Sequence, residues 1–183
     1  MTAISVTKAR ENIYQILADV NSSSQPITIT NNRGKNGVLL SEDDWNAIQE
    51  TLYLNSIPGM AESIVEAGKE PLEECSAYDP NEEWYMYLIR FSKQADKDKK
   101  MLKGAGLEQK AKSLLQVIAE NPFQNPPAYE SLVGNLTGYY SRRISIQHRL
   151  VYQVYHESVV VDGVGYEGTI KVVRMWTHYD AVR

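Results

Sequence analysis

Between residues 134 and 155 the chain interleaves cationic and aromatic side chains on a segment rich in strand-forming residues. Polar and apolar residues roughly alternate from Ser141, and alternation places neighbours on opposite faces of a pleated sheet. The pattern predicts a strand from residue 140 to residue 146 and one polar face formed by Arg143, Ser145, Gln147 and Arg149. Such a face suits a phosphate chain and its stacked bases, although the solvated outer face of an antiparallel sheet has the same composition.

The charge of the chain is divided between its two halves. Residues 1–84 carry five Lys/Arg against fourteen Asp/Glu, a net charge of −9, whereas residues 85–183 carry fourteen against nine, a net charge of +5. Eight of the carboxylates lie between Glu62 and Glu83, where only Lys69 opposes them. Charges of opposite sign in the two halves indicate two functions, or two pieces that attract one another.

Several classes of protein are disfavoured by what the sequence lacks. A lone cysteine, Cys75, excludes an intramolecular disulfide and fits a reducing compartment. No run of about 18 apolar residues predicts a membrane span, and no signal pattern opens the chain. The three histidines, His148, His156 and His178, have no metal-ligand spacing. We therefore expect a cytoplasmic protein without a membrane partner, a metal or another cofactor.

The first part of the chain predicts a βαββα module of about 55 residues. A short extended piece precedes a helix capped by Thr7, a hairpin follows with strands at 26–30 and 37–40, and Ser41 caps a second helix. A core of this size is small for an independent unit, which predicts a homodimer or a higher oligomer.

The remainder predicts an acidic connection and a second domain. Residues 60–84 suit either a segment that folds on a partner or a solvated linker. The second half predicts a strand at 86–91, a lysine-rich helix capped by Ser92, a helix from Leu107 to Glu120 and three or four antiparallel strands. The predicted fold class is α+β, with a small N-terminal module, an extended or helical linker, and two helices packed on an antiparallel sheet. The predicted domains are residues 1–57, 58–84 and 85–183.

Glu130, His178 and the arginines of the central stretch suit cleavage of a phosphodiester. A base takes the proton from a 2′-hydroxyl, an acid protonates the leaving 5′-oxygen, and arginine stabilises the charge that develops on phosphorus. RNA supplies its own nucleophile, so neither a metal nor a covalent intermediate is required. A histidine just beyond a strand end is more often structural or solvated, so the role of His178 depends on what faces it across the sheet.

Two long motifs, NPFQNPPAYESLVGNLTGYYSRRISIQHRLVYQVY and VVRMWTHYD, carry a resemblance to the YoeB/Txe toxins of the RelE-like superfamily, over residues 86–180. Residues 1–84 resemble the Phd/YefM antitoxin family through ISVTKARENI, PITITNNRGKNGVLLS and DDWNAIQETLYL, followed by the acidic PLEEC. The chain thus resembles an antitoxin and its toxin read through as one polypeptide, joined near Trp84.

The toxin resemblance implies an endoribonuclease that cuts mRNA on the translating ribosome. It implies a general base at Glu130, a phosphate-stabilising arginine at Arg149, a general acid at His178 and a catalytic-site tyrosine at Tyr179. The expected RNA contacts are Arg142, Arg143 and Tyr140, and His148 is expected to be structural. The chain departs from the family at Val133, where some members have lysine, and in an extra hairpin at residues 162–168. Both departures bear on activity.

The antitoxin resemblance implies a dimer that binds operator DNA through the first helix and the hairpin turn. The expected DNA contacts are Lys8, Arg10, Asn31, Arg33 and Lys35, and phosphate contacts would make binding sensitive to salt. A surface arginine paired to Glu11 or Tyr14 is the less favoured alternative for Arg10.

Residues 60–84 are expected to wrap the toxin half and to silence it by covering Arg149 and His178. The expected neutralising residues are Ile64, Val65 and Leu72, and opposite charges favour the association. Neutralisation within one chain and between two chains are both open, although the short connection after Trp84 favours the neighbouring chain. Two alternatives stand beside the fused toxin–antitoxin: a catalytically silent repressor whose toxin half is a corepressor, and an engineered or frameshift fusion.

Overall fold

The computed structural model describes residues 2–78 and 86–177. The chain divides into two compact units, Met1–Gln49 and Glu50–Arg183. This division is one of packing, and the predicted functional boundaries after residues 57 and 84 stay a prediction.

The first unit is the predicted βαββα module. It contains a sheet in the order β1-β2-β3, in which β1 is parallel to β2 and β3 is antiparallel to β2. Its elements are β1 (Thr2–Ser5), α1 (Val6–Glu11), α2 (Ile13–Ser23), β2 (Ile27–Thr30), β3 (Gly37–Leu39) and the start of α3 (Glu42–Ser56). A small core of four buried apolar side chains joins the helices to the sheet: Ala9, Ile16, Val20 and Ile27.

The first helix differs from its prediction in two respects. Its N-cap is Ser5 rather than Thr7, because Ser5 keeps an extended backbone and its hydroxyl accepts the Lys8 N–H at 3.3 Å. The predicted single helix is also broken at Asn12, whose backbone and side-chain N–H groups both donate to the Lys8 carbonyl, at 3.1 and 3.0 Å. A side chain that competes for backbone partners ends a helix in this way. The predicted cap at Ser41 is confirmed, since its hydroxyl accepts the Asp44 N–H at 3.1 Å.

The second unit is an α+β assembly around one six-stranded sheet in the order β4-β5-β11-β8-β7-β6. Neighbouring strands are antiparallel except for β5 and β11, which are parallel. Its helices are α4 (Met60–Lys69), α5 (Lys93–Gly104), capped by Ser92 as predicted, and α6 (Glu108–Glu120). Its strands are β4 (Ser76–Ala77), β5 (Tyr87–Phe91), β6 (Tyr129–Ser131), β7 (Tyr140–Arg143), β8 (Arg149–Tyr155), β9 (Val159–Val161), β10 (Val164–Tyr166) and β11 (Gly168–Arg174).

Helices cover both faces of this sheet, which makes three layers. Helices α5 and α6 bury one face through a core that includes Phe91, Leu115, Ile118, Leu150, Tyr152 and Val172. The end of α3 and helix α4 bury the other face through Leu54, Met60, Ile64, Leu136, Val151 and Val173. The alternation of Val172 with Val173 along β11 assigns them to opposite layers. The predicted α+β class is confirmed, and the residues that follow Gln49 supply a full layer of the second unit.

The extra hairpin predicted at residues 162–168 is present. Strands β9 and β10 pair antiparallel in a two-stranded sheet of their own, with a turn at Asp162-Gly163 where both residues have positive φ. The chain then enters β11 at Gly168, where a Cβ would lie 2.2 Å from the Tyr155 carbonyl oxygen. Only glycine fits at this junction between the hairpin and the main sheet.

Candidate functional site

Strand register brings three predicted site residues to one face of the six-stranded sheet. Glu130 on β6 pairs with Ser141 on β7, and Arg143 on β7 pairs with Arg149 on β8. Directly paired residues of antiparallel strands point to the same side, and Ser141 and Arg143 lie two positions apart. We call this side, with Glu130, Ser141, Arg143 and Arg149, the covered face, because the end of α3 and helix α4 pack on it.

The predicted strand to residue 146 is wrong in its second half. Strand β7 ends at Arg143, and the N–H groups of Ile144 and Ser145 both donate to the His148 carbonyl, at 2.9 and 3.2 Å. The Ser145 hydroxyl accepts the N–H groups of Gln147 and His148, at 3.3 and 3.2 Å. Ser145 and Gln147 therefore lie in a turn that returns the chain, and only the two arginines of the predicted polar face remain on it.

Arg149 is 4% exposed, and atoms of the turn hold its guanidinium group. One terminal nitrogen donates to the carbonyl oxygens of Ser145, Ile146 and His148, at 3.1, 3.1 and 3.4 Å. The backbone N–H of Arg149 donates to the Thr177 hydroxyl at 3.1 Å. The turn that precedes Arg149 thus orients its guanidinium independently of any partner on the Nε edge of the group.

That edge faces a carboxylate from α3. Arg149 Nε donates to Glu50 Oε1 at 2.5 Å, and the Ser141 hydroxyl donates to the same oxygen at 2.7 Å. The ring of Tyr53 lies over the guanidinium, 4.5 Å from its carbon to the ring centroid, and the Tyr53 hydroxyl donates to the Gln147 carbonyl at 2.8 Å. A charge pair, a hydroxyl and a cation–π contact thus close the cationic centre of the covered face.

Sequence reasoning missed Glu50, Tyr53 and Ser141. Glu50 is one of many carboxylates in the first half, and its partner Arg149 is 99 positions away. The one available signal was spacing, since Glu50 and Tyr53 lie three apart on a helix and therefore on one side of it.

Helix α4 covers the rest of this face through apolar contacts. Ile64 is fully buried and Val65 packs at the edge of the same cluster. Gly68 permits a close approach, because a Cβ there would lie 1.9 Å from the Tyr139 hydroxyl oxygen. Leu72 is half-buried, and its carbonyl accepts from Arg90 at 3.3 Å. All three predicted neutralising residues therefore lie against elements of the second half of the chain.

The cations beneath this segment are satisfied mainly by backbone oxygens. Lys171 is fully buried, and its ammonium donates to the carbonyls of Gly68, at 2.8 Å, and Glu70. Burial lowers the pKa of Lys171, and the nearby Cys75 and Glu70 oppose that shift. At the exposed rim, Lys93 pairs with Glu74 at 2.6 Å. The predicted matching of carboxylates from residues 60–84 to cations thus holds at Lys93, whereas Lys171 binds carbonyls. The expectation that this segment covers Arg149 is wrong, because Glu50 and Tyr53 of α3 contact that guanidinium instead.

Arg142 lies on the opposite face and is 1% exposed. Its guanidinium donates to the carbonyls of Pro122, at 3.0 Å, Gln124, at 2.8 Å, and Pro127, and to the Tyr152 hydroxyl at 3.2 Å. These bonds pin the proline-rich loop to the sheet. RNA would have to break them to reach Arg142, which argues against its predicted RNA contact.

Tyr140, another predicted RNA contact, belongs to an aromatic cluster on that same face. Its ring lies 5.2 Å from Phe123, 6.1 Å from Tyr129 and 5.7 Å from Tyr152, and it is half-buried. Burial raises the pKa of Tyr152 to about 12, against the opposing effect of Arg142. Register therefore separates Tyr140 from Arg143 and Arg149, on the two sides of one sheet.

The strand that leads towards the predicted acid is fixed by a buried carboxylate. Asp98 is fully buried and accepts Arg174 Nε at 2.7 Å and the N–H groups of Met175 and Trp176 at 2.9 and 3.1 Å. His148 stacks on Trp176 with ring centroids 4.0 Å apart, in line with the structural role expected for it. His178 and Tyr179 lie outside the described residues.

The predicted DNA contacts all lie in the first unit. Lys8 and Arg10 are exposed on α1, and Arg33 and Lys35 are exposed in the turn between β2 and β3. Asn31 is half-buried and shapes this turn, because its side-chain oxygen accepts the Arg33 N–H at 3.0 Å. Among these cations, the described structure shows none closed as Arg149 is.

Val133, the position of the expected departure, is 38% exposed, and its N–H donates to the Thr51 hydroxyl at 3.0 Å. Within residues 2–78 and 86–177, no group of histidine, cysteine or carboxylate side chains is arranged to hold a metal ion. No helix in those ranges is long and apolar enough to cross a membrane.

Comparison with known proteins defines the class. The Phd_YefM antitoxin family of type II toxin–antitoxin systems matches residues 1–74, and the YoeB-like toxin family of bacterial type II systems matches residues 83–179. Antitoxin YefM of Synechocystis sp. is 39% identical over 70 residues, which are 38% of this chain and 80% of that protein. Toxin YoeB of the same organism is 41% identical over 64 residues, 35% of this chain and 67% of that protein.

A solved structure, the heterotetrameric YoeB–YefM toxin–antitoxin complex from Staphylococcus aureus, is 36% identical over 51% of this chain and 98% of that chain, with a TM-score of 0.39. The family matches make the class a type II toxin–antitoxin protein. This chain belongs to the Phd/YefM antitoxin family through its first part and to the YoeB-like toxin family through its second, fused in one polypeptide.

Proposed function

We propose that the toxin half is a ribosome-dependent mRNA endoribonuclease and that residues 50–77 of the same chain hold it inactive. YoeB-like toxins are a family of RelE-like endoribonucleases. The observation that carries the proposal is the grouping of Glu130, Arg143 and Arg149 on one sheet face, with Arg149 closed by Glu50 and Tyr53.

The chemistry follows from these side chains. Glu130 takes the proton of the ribose 2′-hydroxyl, which then attacks the adjacent phosphorus. Arg149, fixed by the carbonyls of its turn, stabilises the charge on the phosphoryl oxygens. His178 protonates the leaving 5′-oxygen and Tyr179 lies in the same site. The 2′-hydroxyl is already next to its phosphate, so no metal or other cofactor is needed.

Arg143 is the supporting phosphate contact, since it is exposed at the end of β7 and shares the covered face. The ribosome supplies the mRNA in the required conformation, and a cytoplasmic location follows from that substrate. The covered state is inactive because an mRNA phosphate and Glu50 cannot both bind Arg149.

The first unit binds operator DNA and represses transcription of the gene that encodes the chain. Four exposed cations, Lys8, Arg10, Arg33 and Lys35, can contact phosphates. Asn31 shapes the turn that carries Arg33 and Lys35. Exposed apolar side chains on this unit, Tyr14 at 87% and Val38 at 58%, suit a homodimer or a higher assembly.

Cleavage of a defined mRNA in a reconstituted translation system tests the nuclease. We expect cleavage by residues 86–183 alone and silence from the full chain. Glu130→Gln in the isolated half should reduce cleavage by about 10²–10⁴-fold, as for loss of a general base. Circular dichroism of both proteins controls for folding.

If a folded toxin half does not cleave mRNA, the proposed nuclease activity is wrong. The protein would then be a catalytically silent repressor with its toxin half as corepressor, and operator binding by the full chain would be its remaining activity. Near-full activity of Glu130→Gln would remove Glu130 from the mechanism but keep the nuclease.

A further inference from the structure

Two buried donors of the toxin half converge on a single oxygen atom. Ser141 is 1% exposed and Arg149 4% exposed. The Ser141 hydroxyl and Arg149 Nε–H reach Glu50 Oε1 at 2.7 and 2.5 Å. Both donors belong to adjacent strands, β7 and β8, so the sheet itself sets their separation. A hydroxyl and a guanidinium edge aimed at one point form a site for one oxygen of an anion.

The guanidinium is held in place without the carboxylate. Three carbonyl oxygens of the turn, from Ser145, Ile146 and His148, bind the terminal nitrogen on the far side. Such bonds orient the group and leave its Nε–H directed to the covered face. Guanidinium groups match carboxylate and phosphate geometry equally well, so an anion other than Glu50 can use the same donors.

The segment that fills this site presents an anion and an aromatic ring, as a nucleotide does. Glu50 supplies an anion to Arg149 and Ser141, and Tyr53, one helical turn on, lays an aromatic ring over the same guanidinium at 4.5 Å. A nucleotide would supply a phosphate and a stacked base. Apolar side chains of similar volume would stabilise a buried contact at least as well as an ion pair, so stability alone does not require a carboxylate here.

We propose that Ser141 and Arg149 form a phosphate-binding site and that Glu50 occupies it as an internal substitute for phosphate. Ser141 is thereby a further substrate contact of the toxin half, and Glu50 and Tyr53 of α3 form the inhibitory contact with the cationic centre. The identification of the phosphate as one of RNA rests on the proposed function, whereas the anion site rests on the geometry alone.

Replacement of Glu50 by alanine in the full chain tests the site. The substitution removes the anion and leaves two buried donors unpaired, which lowers Tm. Inorganic phosphate at 100 mM should then raise the Tm of Glu50→Ala by about 3 °C relative to chloride of equal ionic strength, as binding to the folded state alone requires. Wild type and Glu62→Ala, which loses an exposed carboxylate of α4, serve as matched controls for general salt effects.

Two further arms identify the donors and the ligand. Ser141→Ala added to Glu50→Ala should reduce the phosphate-dependent rise by at least half, since one of two donors is lost. Dimethyl phosphate, a small phosphodiester, should reproduce the rise caused by inorganic phosphate. A rise with inorganic phosphate only would indicate a site for free phosphate and would overturn the assignment to an RNA phosphodiester.

The anion site is wrong if phosphate stabilises Glu50→Ala no more than the two controls. Glu50→Ser, which leaves a similar space, is measured in parallel. Failure of both variants to fold in chloride and phosphate alike also contradicts the proposal, because a fitting anion should replace the carboxylate. These measurements need no nuclease activity. If phosphate stabilises Glu50→Ala but the toxin half cleaves no mRNA, the anion site is supported and the proposed nuclease function is wrong. If the toxin half cleaves mRNA but phosphate does not stabilise Glu50→Ala, the nuclease is supported and the anion site is wrong.

Discussion

Arg142 and Arg149 lie on adjacent strands of one sheet and are both buried, yet different parts of the chain bind their guanidinium groups. Carbonyls of residues 122, 124 and 127 and the Tyr152 hydroxyl surround Arg142, and all belong to the toxin half. Arg149 receives its carboxylate from Glu50, which lies in the part of the chain that matches the antitoxin family. Arg142 is bound by groups of the toxin half itself, whereas Arg149 is bound by a segment that a separate antitoxin would supply.

A third environment extends the comparison. Lys8 and Arg10 on α1 are exposed. One polypeptide therefore contains a structural cation, a covered cation and open cations. Burial and partner, rather than residue type, separate these three environments.

The largest expected effect comes from loosening the cover over Arg149. In Gly68→Ala, the added methyl group would meet the Tyr139 hydroxyl at 1.9 Å, so either the Tyr139 ring or helix α4 must shift, which loosens the packing of α4 on the covered face. We expect mRNA cleavage by the full chain to rise about 100-fold, which corresponds to about 3 kcal/mol of lost docking energy. Primer extension on a translated mRNA measures this rise.

Gly104→Ala is the matched control, because it also places alanine near a helix end but meets nothing within 4 Å. Its cleavage should equal that of wild type. A Gly68→Ala chain as silent as the control would show that the cover tolerates the methyl group and that the close approach at Tyr139 does not hold the site closed.

The open cations should respond independently of the cover. Arg10→Ala should weaken operator binding by the full chain about tenfold and lower the dependence of log K on log salt by about one ion, as expected for one lost phosphate contact. Fluorescence anisotropy at three salt concentrations measures both quantities. Lys100→Ala, an exposed cation of α5, is the control. An unchanged salt dependence in Arg10→Ala would place Arg10 outside the DNA interface.

The smallest expected effect concerns Tyr152, whose hydroxyl accepts a hydrogen bond from the buried Arg142. The pKa of Tyr152 is raised to about 12 in the folded chain, from 10.0. The folded state then holds this proton more tightly, so its stabilising contribution is complete below pH 10 and is lost as pH rises towards 12. Between pH 9 and 11 the wild type should lose about 1 kcal/mol more stability than Tyr152→Phe.

Urea unfolding at each pH measures that difference. Tyr14→Phe, at a tyrosine 87% exposed, should follow the wild type. Parallel pH profiles for Tyr152→Phe and wild type would show that Tyr152 does not titrate differently in the folded state. Neither tyrosine variant should release the nuclease, since both leave the cover of Arg149 intact.

The sequence by itself predicted most of the secondary structure and the two families. Local signals suffice for secondary structure, since caps such as Ser41 and Ser92 and the strand-forming residues of β8 depend on near neighbours. Ile64 and Val65 were expected to contact the second half from an acidic segment, and both lie on helix α4 in the cluster that packs on the sheet.

Alternation correctly predicted that Arg143 and Arg149 share a face, but only the tertiary structure decided which face is covered and what meets each arginine. The turn at residues 144–148 interrupts the alternation through hydrogen bonds to His148 and Ser145, which composition does not reveal. Register across β6, β7 and β8 then places Glu130 with Arg149 and turns Arg142 to the other side. Because side chains alternate at every residue, one position decides between a covered site and a structural core.

The partner of Arg149 was also beyond sequence reasoning. Glu50 and Arg149 are 99 positions apart, and nothing local distinguishes Glu50 from the other carboxylates of the first half. Their contact exists because α3 and α4 bury apolar side chains on the sheet and thereby carry Glu50 to the guanidinium. Hydrophobic packing, which depends on the whole second unit, fixes the position of the one charge that closes the site.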